Sequence, residues 1–210
     1  MKKILIIGSN GRVGKLVVNE ALNKGYDVTG LGLSDNQTNV TKYLKKSVFD
    51  LNKEDVMEYD VVVDAFGAWT IDTIPNIGKA MIHLAELLEG TNIRLIVVGG
   101  AGSLFVNEEK TITVDMGKDF PEAWKPLSHS HAIGLKYLQG TKNLNWTYIS
   151  PACNFVADGK RTGSYQLGKD LLILNSKGES TISYADYAIA LVDEIENGAH
   201  LRERISVVSK

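Results

Sequence analysis

The sequence predicts an α/β fold, a doubly wound and mostly parallel sheet covered by helices on both faces. Three observations carry that prediction. Short apolar runs alternate with stretches of helical periodicity along most of the chain. The runs themselves, such as "DVVVDAF" at residues 60–66, lack the in–out alternation of a strand with one wet face, so they read as strands buried on both sides. A glycine-rich turn, "GSNGRVG" at residues 8–14, joins the first run to the first helix. With 44% apolar residues, a chain of 210 can build one sizeable core, and residues 1–210 are expected to form a single domain.

Ile4–Ile7 is the first buried strand. After the glycines, Val13, Leu16, Val17, Ala21 and Leu22 recur at helical spacing, and Gly25 is placed to end that helix. Tyr26–Leu31 reads as the second strand, Lys46–Phe49 as a short third and Asp60–Phe66 as a strongly apolar fourth. A helix over Ile77–Leu88, a fifth strand over Ile93–Gly100, a helix over Ser128–Gln139 and a sixth strand over Trp146–Ser150 continue the alternation. Residues 152–183 break it. Gly163, Gly168 and Gly178 separate short apolar stretches there, so a hairpin-like insertion at the ligand end of the sheet is expected. A helix over Ala185–Glu196 and a strand over Ile205–Val208 close the chain.

Composition removes several classes of function. A net charge of −2 and a pI near 6.1, with no basic cluster, give no footprint for nucleic acid or an anionic membrane surface. Cys153 is the single cysteine, which excludes a disulfide framework and cysteine-type metal spacing; it reads as a small buried hydrophobe. The opening apolar run stops after four residues at Gly8, too short for a signal peptide or a membrane span. A cytoplasmic protein, monomer or homodimer, is expected.

The glycine turn discriminates between two phosphate-binding devices. A triphosphate loop needs two glycines separated by four residues, followed by Lys and a hydroxyl residue for Mg²⁺. Here five residues separate Gly8 from Gly14, and Leu16 follows Lys15. Gly8, Gly11 and Gly14 instead make a GxxGxxG turn between a buried strand and a helix. Missing side chains let the backbone approach a pyrophosphate, while the helix N-terminus presents free N–H groups and partial positive charge. That is the dinucleotide loop of a Rossmann-type sheet.

"IIGSNGRVGK", "VVVDAFG", "RLIVVGGAGSL", "WTYISPACNF", "RTGSYQLGKD" and "GESTISYADYAIALVDEIE" run in order over nearly the whole chain. Together they resemble the atypical short-chain dehydrogenase/reductases with an NAD(P)H-binding domain. Within that group the chain is similar to NADH-flavin reductase-like proteins, which are related to NmrA-like proteins and to biliverdin reductase B. The first motif belongs to a vast superfamily, and the C-terminal motifs are more specific.

The resemblance implies a cofactor site. Residues Gly8, Ser9, Asn10, Gly11, Arg12, Val13 and Gly14 would cradle the pyrophosphate. Asp50 and Leu51 would flank the adenine, and Ala65, Phe66 and Gly67 the adjoining ribose. Gly99 and Gly100, with the residues up to Ser103, would face the nicotinamide ribose, and Pro151 the carboxamide. Relatives often end the second strand with an Arg for the 2′-phosphate of NADP, whereas this chain has Leu33 there. Arg12 and Ser34 are the groups left to hold a phosphate, and no acidic residue ends the strand to select NAD, so both cofactors stay open.

Typical short-chain dehydrogenases carry Tyr-x-x-x-Lys on a helix, where both side chains share a face. The one such string here, Tyr165 to Lys169, falls in the glycine-rich insertion. In a strand its two ends would lie about 13 Å apart. Hydride transfer to a flavin needs alignment of two rings more than a positioned acid, because solvent can supply the remaining proton. The expected function is therefore an NAD(P)H-dependent oxidoreductase reducing free flavin or a similar planar acceptor. A non-catalytic, NAD(P)-sensing regulator of the NmrA kind fits the missing dyad equally, and an epimerase or dehydratase fits it poorly. His129 or His131 is a candidate to give the acceptor a proton, Ser103 to orient it, and Trp69, Trp124 and Phe155 to stack on it. His129 and His131, two residues apart at a helix start, do not share a face and offer no metal site.

Overall fold

The computed structural model describes all residues, 1–210. In chain order the elements are β1 (Lys3–Ile7), α1 (Arg12–Asn23), β2 (Asp27–Gly32), β3 (Lys42–Lys45), α2 (Lys53–Val56), β4 (Val61–Asp64), α3 (Asn76–Leu88) and β5 (Arg94–Val98). They continue with α4 (Lys125–Gly140), β6 (Asn145–Ser150), β7 (Asn154–Val156), β8 (Tyr165–Gly168), β9 (Thr181–Ser183), α5 (Tyr184–Asn197) and β10 (Glu203–Ser209).

Eight strands form the central sheet in the order β3-β2-β1-β4-β5-β6-β10-β8. All neighbours are parallel except β8, which runs antiparallel to β10. Strand order reverses between β1 and β4, so a crevice opens at their C-terminal ends, where open α/β sheets take ligands. The continuous apolar runs are explained by two cores, one on each face. Ile4, Ile6, Val61, Val63 and Ile96 pack with Val17, Val18 and Ala21 of α1 and with Leu191 and Ile195 of α5. Leu5, Ile7, Val62, Leu95, Val97, Trp146 and Tyr148 pack with Met81, Leu84 and Leu88 of α3 and with Leu135 and Leu138 of α4. Successive residues of each strand thus feed opposite layers.

Helix ends follow their residues. Gly25, at φ +77°, receives the chain just beyond α1, and Gly198, at φ +62°, does so for α5. Ser183 caps α5 by accepting the Asp186 N–H at 3.0 Å.

Three expectations are corrected. Cys153, expected as a small buried hydrophobe, is exposed just before β7, where its N–H donates to Ser180 Oγ at 3.1 Å. The third strand is Lys42–Lys45, not Lys46–Phe49. Lysines at both ends of this edge strand interrupt its apolar signal, as edges commonly do. Val48–Asp50 is instead a 3₁₀ turn begun by Ser47, whose Oγ accepts the Phe49 N–H at 3.2 Å. The insertion does form a small separate sheet, but it is not a hairpin. β7 pairs with β9 in parallel, and the intervening β8 leaves to join the main sheet. A buried carboxylate holds that excursion. Asp186 of α5 accepts the Thr162 N–H (2.8 Å), the Thr162 hydroxyl (2.8 Å) and the Gly163 N–H (2.9 Å), which ties the "RTG" stretch to "SYAD".

The N-terminal ends of β5 and β6 are locked by a buried polar network. Arg94 pairs with Glu194 of α5, and also donates to the Glu194 carbonyl (2.9 Å) and to Thr147 Oγ1 (2.7 Å). Glu194 also accepts from the His200 N–H at 3.0 Å and contacts His200 Nδ1 at 2.7 Å. Burial alone would raise the Glu194 carboxyl, but these donors hold it below its usual range. Arg94→Ala is expected to cost about 3–5 kcal/mol in urea unfolding, because it strands a buried carboxylate. The paired change Arg94→Met with Glu194→Leu should cost less than that single change. An equal or larger loss in the pair would contradict this account.

Candidate functional site

The turn between β1 and α1 is shaped by contacts that admit no side chain. A Cβ on Gly14 would sit 2.2 Å from the Gly8 carbonyl oxygen, and one on Gly8 would sit 2.5 Å from the Ala65 oxygen. Both are far inside the roughly 3.5–4.0 Å of a favourable contact. Gly8 also has φ +69°, a left-handed backbone that glycine adopts freely. Its N–H and that of Ser9 both reach the Leu31 carbonyl, at 2.9 and 3.2 Å, so the turn is pinned to β2. Gly11 opens α1 without any side-chain cap, and the N–H groups of Arg12, Val13 and Gly14 have no acceptor in the protein. An uncapped helix start with a side-chain-free approach is a cradle for phosphate oxygens, and these residues fit a dinucleotide.

Asn10 holds the neighbouring loop rather than facing the cradle. Its amide donates to Ser34 Oγ (2.8 Å), the Asp35 carbonyl (2.8 Å) and Tyr43 Oη (2.9 Å), and its oxygen accepts the Gln37 N–H (2.9 Å). The buried Ser9 donates to the Leu31 carbonyl. Asp35 turns outward to Lys45 at 2.7 Å, and Leu33 is exposed. Arg12 is exposed, its guanidinium 5.7 Å from the Tyr184 ring of α5.

Beyond β4, Ala65, Phe66 and Gly67 border the same crevice. Phe66 meets Phe49 edge-on at 6.2 Å, and Phe49 lies beside His83. Asp50 is exposed in its 3₁₀ turn, whereas Leu51 is buried and its carbonyl contacts His83 Nε2 at 3.2 Å. Asp64 was not among the expected site residues. It closes β4, is buried, and accepts the Phe66 N–H at 3.0 Å. Desolvation pushes its carboxyl up to about 7, with that hydrogen bond pulling the other way.

Beyond β5, the Tyr148 ring of β6 lies where a Cβ of Gly99 would be, 2.2 Å away, so only glycine fits. Tyr148 Oη accepts the Gly100 N–H at 2.8 Å and lies 3.3 Å from His131 Nδ1. Burial lowers the half-buried His131 to about 4. Ser103 is held from below, its carbonyl and Oγ both accepting from Arg204 Nη1 at 2.8 and 3.1 Å. Trp69 and Trp124 are exposed, Trp69 on the loop after β4 and Trp124 just before α4. Phe155 packs on Tyr184 and Tyr187, at 4.1 and 4.9 Å, on the α1/α5 side of the sheet. Pro151 is buried directly after β6. Tyr165 opens β8 and Lys169 follows its last residue, Tyr165 donating to Asp193 (2.9 Å) and Lys169 pairing with Glu203 (3.3 Å). No group of three His, Cys, Asp or Glu side chains is placed to hold a metal ion.

These features define a dinucleotide-binding α/β protein, and comparison with known proteins agrees. Residues 8–198 match the family described as NAD(P)H-binding, and the chain belongs to it. Its cofactor is NAD(P). The uncharacterized protein YwnB of Bacillus subtilis (strain 168) is 45% identical over 99% of both chains. A crystal structure of a candidate NADH-flavin reductase from Streptococcus pneumoniae TIGR4 superposes with a TM-score of 0.97 at 46% identity, over 100% of both chains. A candidate epimerase from Bacteroides thetaiotaomicron is 34% identical with a TM-score of 0.84, covering 99% of this chain and 97% of its own. No helix is long and apolar enough to cross a membrane.

Gly14→Ala is expected to weaken NAD(P)H binding at least about tenfold, the equivalent of 1.4 kcal/mol, by spoiling the close approach. Gly140→Ala, with open space around it, serves as the neutral control. Tryptophan-to-nicotinamide energy transfer measures both.

Asp64 predicts a pH dependence of stability. Its folded value lies near 7 against an ordinary 3.8, so across that window the native state keeps a proton that the unfolded chain has released. Stability contributed by the site is full below the window and falls as pH rises through it. Asp64→Asn, which can still accept the Phe66 N–H, should therefore raise Tm more at pH 8 than at pH 5.

Proposed function

We propose that the chain is an NAD(P)H-dependent oxidoreductase that reduces free flavin or a similar planar acceptor. The observation that carries the reading is the glycine cradle with its unpartnered N–H groups, set at the switch point of the sheet. Arg12, Val13 and Gly14 would receive the pyrophosphate on backbone N–H groups. Leu51, Phe49 and Phe66 would line the adenosine side, with Asp50 at its rim, and Ala65–Gly67 the adjoining ribose. Gly99, Gly100 and Ser103 would border the nicotinamide end with Pro151.

Bound NAD(P)H supplies a hydride. The protein's task is to align the ring, exclude bulk water from one face and present the other to an acceptor. The exposed Trp69, on the loop after β4, and Trp124, just before α4, would offer aromatic surface to a flat conjugated molecule. Tyr165, in β8, and Lys169, just beyond it, bond to different partners, which favours an acceptor that takes its proton from solvent. The Streptococcus pneumoniae protein, similar over its whole length, supports the same class.

Titration with NADH and NADPH, read by tryptophan energy transfer, is expected to saturate for at least one of them. Anaerobic addition of FMN should then cause acceptor-dependent loss of absorbance at about 340 nm, the reduced nicotinamide band whose hydride is consumed. Binding without turnover would favour the NAD(P)-sensing regulator, and no binding would remove the dinucleotide reading.

A further inference from the structure

The Tyr148–His131 contact fixes where the imidazole proton lies. Tyr148 Oη already accepts the Gly100 N–H at 2.8 Å, and the residue is fully buried. Its own hydroxyl proton needs an acceptor, because a buried donor left unpaired is costly. His131 Nδ1, at 3.3 Å, is the one acceptor the structure offers. Tyr148 therefore donates to Nδ1, and the neutral ring carries its proton on Nε2.

That Nε2–H is free. It has no partner in the protein, and the chain's only buried unpartnered side-chain atoms are Arg94 Nε and Ser150 Oγ, so Nε2 opens to solvent. The ring lies beside Gly100, its Cδ2 and Cγ 3.2 and 3.3 Å from where a Cβ of that residue would be. This places a rigid donor between the loop after β5 and the first turns of α4, at the mouth of the crevice. The charged and titratable groups around the pair are Asp64 of β4, Arg204 of β10 and the buried Tyr187 of α5, each coupled to Tyr148.

We propose that His131 is the acceptor-positioning residue: a neutral imidazole, locked by Tyr148, whose Nε2–H donates to a carbonyl or imide oxygen of the planar acceptor. The assignment rests on the oxidoreductase reading above. Gain of a hydride, one hydrogen with its electron pair, leaves the acceptor with negative charge shared by that oxygen. The Nε2–H bond is stronger to the charged oxygen than to the neutral one, so it lowers the barrier as well as fixing the orientation. His131 keeps its proton throughout, and one proton from solvent completes the reduction. The acceptor class that follows is a conjugated ring with a carbonyl conjugated to its electrophilic atom, as in flavins and quinones.

The test uses the full-length protein with saturating NAD(P)H and varied FMN or menadione. His131→Phe, which removes the donor but keeps a flat ring, is expected to lower kcat/KM for the acceptor on the order of 100-fold. The NAD(P)H dissociation constant should move less than about twofold, well under 1.4 kcal/mol. His131→Gln, which restores an N–H donor, should recover most of the loss. Tyr148→Phe, which frees the tautomer, should cost an intermediate amount. Because burial holds the ring at about 4, the wild-type rate should show no titration that disappears in His131→Phe between about pH 5.5 and 8. Acceptor kinetics unchanged in His131→Phe, a Gln variant as slow as Phe, or a titration lost with the histidine would each overturn the proposal. Absence of any acceptor-dependent oxidation in the wild type would overturn the oxidoreductase reading itself, and the proposal with it.

Discussion

The start of α1 lies against the ends of β1 and β4 with only backbone between them, and the rest of the site depends on that approach. The Gly14 position touches the Gly8 carbonyl, and Gly8 touches Ala65 across the switch point. One added methyl at either position would displace the helix from the sheet. The same approach leaves the first N–H groups of α1 pointing into the crevice, because no side chain fits there to cap them. Packing and phosphate recognition are thus one constraint, which explains why three glycines sit within seven residues.

The two ends of the sheet are built differently. At the N-terminal ends of β5 and β6, Arg94, Glu194, Thr147 and His200 bond to one another, with only Arg94 Nε left without a partner. At the C-terminal ends, the first N–H groups of α1 lack partners, and the loops around them are held in place. Tyr148 fixes Gly100, Arg204 fixes Ser103, and Asp186 fixes Thr162 and Gly163. Rigid supports beneath unpaired donors are the arrangement expected of a site that orients a ligand rather than exchanging protons with it.

Much of this was legible in the sequence, and the exceptions have physical causes. The buried strands, α1, α3 and α5 declared themselves because a parallel sheet between two helical layers requires unbroken apolar runs. β3 was misplaced because an edge strand flanked by Lys42 and Lys45 carries little apolar signal. The insertion read as a hairpin because local glycines are visible, whereas the Asp186 anchor that redirects the chain is a long-range contact. Asp64 and Tyr148 escaped notice for a related reason. Each sits inside an apolar run and reads as core, although an acid closing "VVVD" and a tyrosine in "WTYIS" were signals available at the strand ends. Asn10 was expected near the pyrophosphate, but its side chain is consumed in holding the loop after β2.

The most direct test of the central claim is an anaerobic single turnover with NAD(P)H carrying deuterium at nicotinamide C4 and FMN as acceptor. Hydride transfer within this site predicts a primary isotope effect on the fast phase, with deuterium lost from one face of the nicotinamide only. Saturable binding with the label fully retained would contradict it, and would make the cradle that of a sensor.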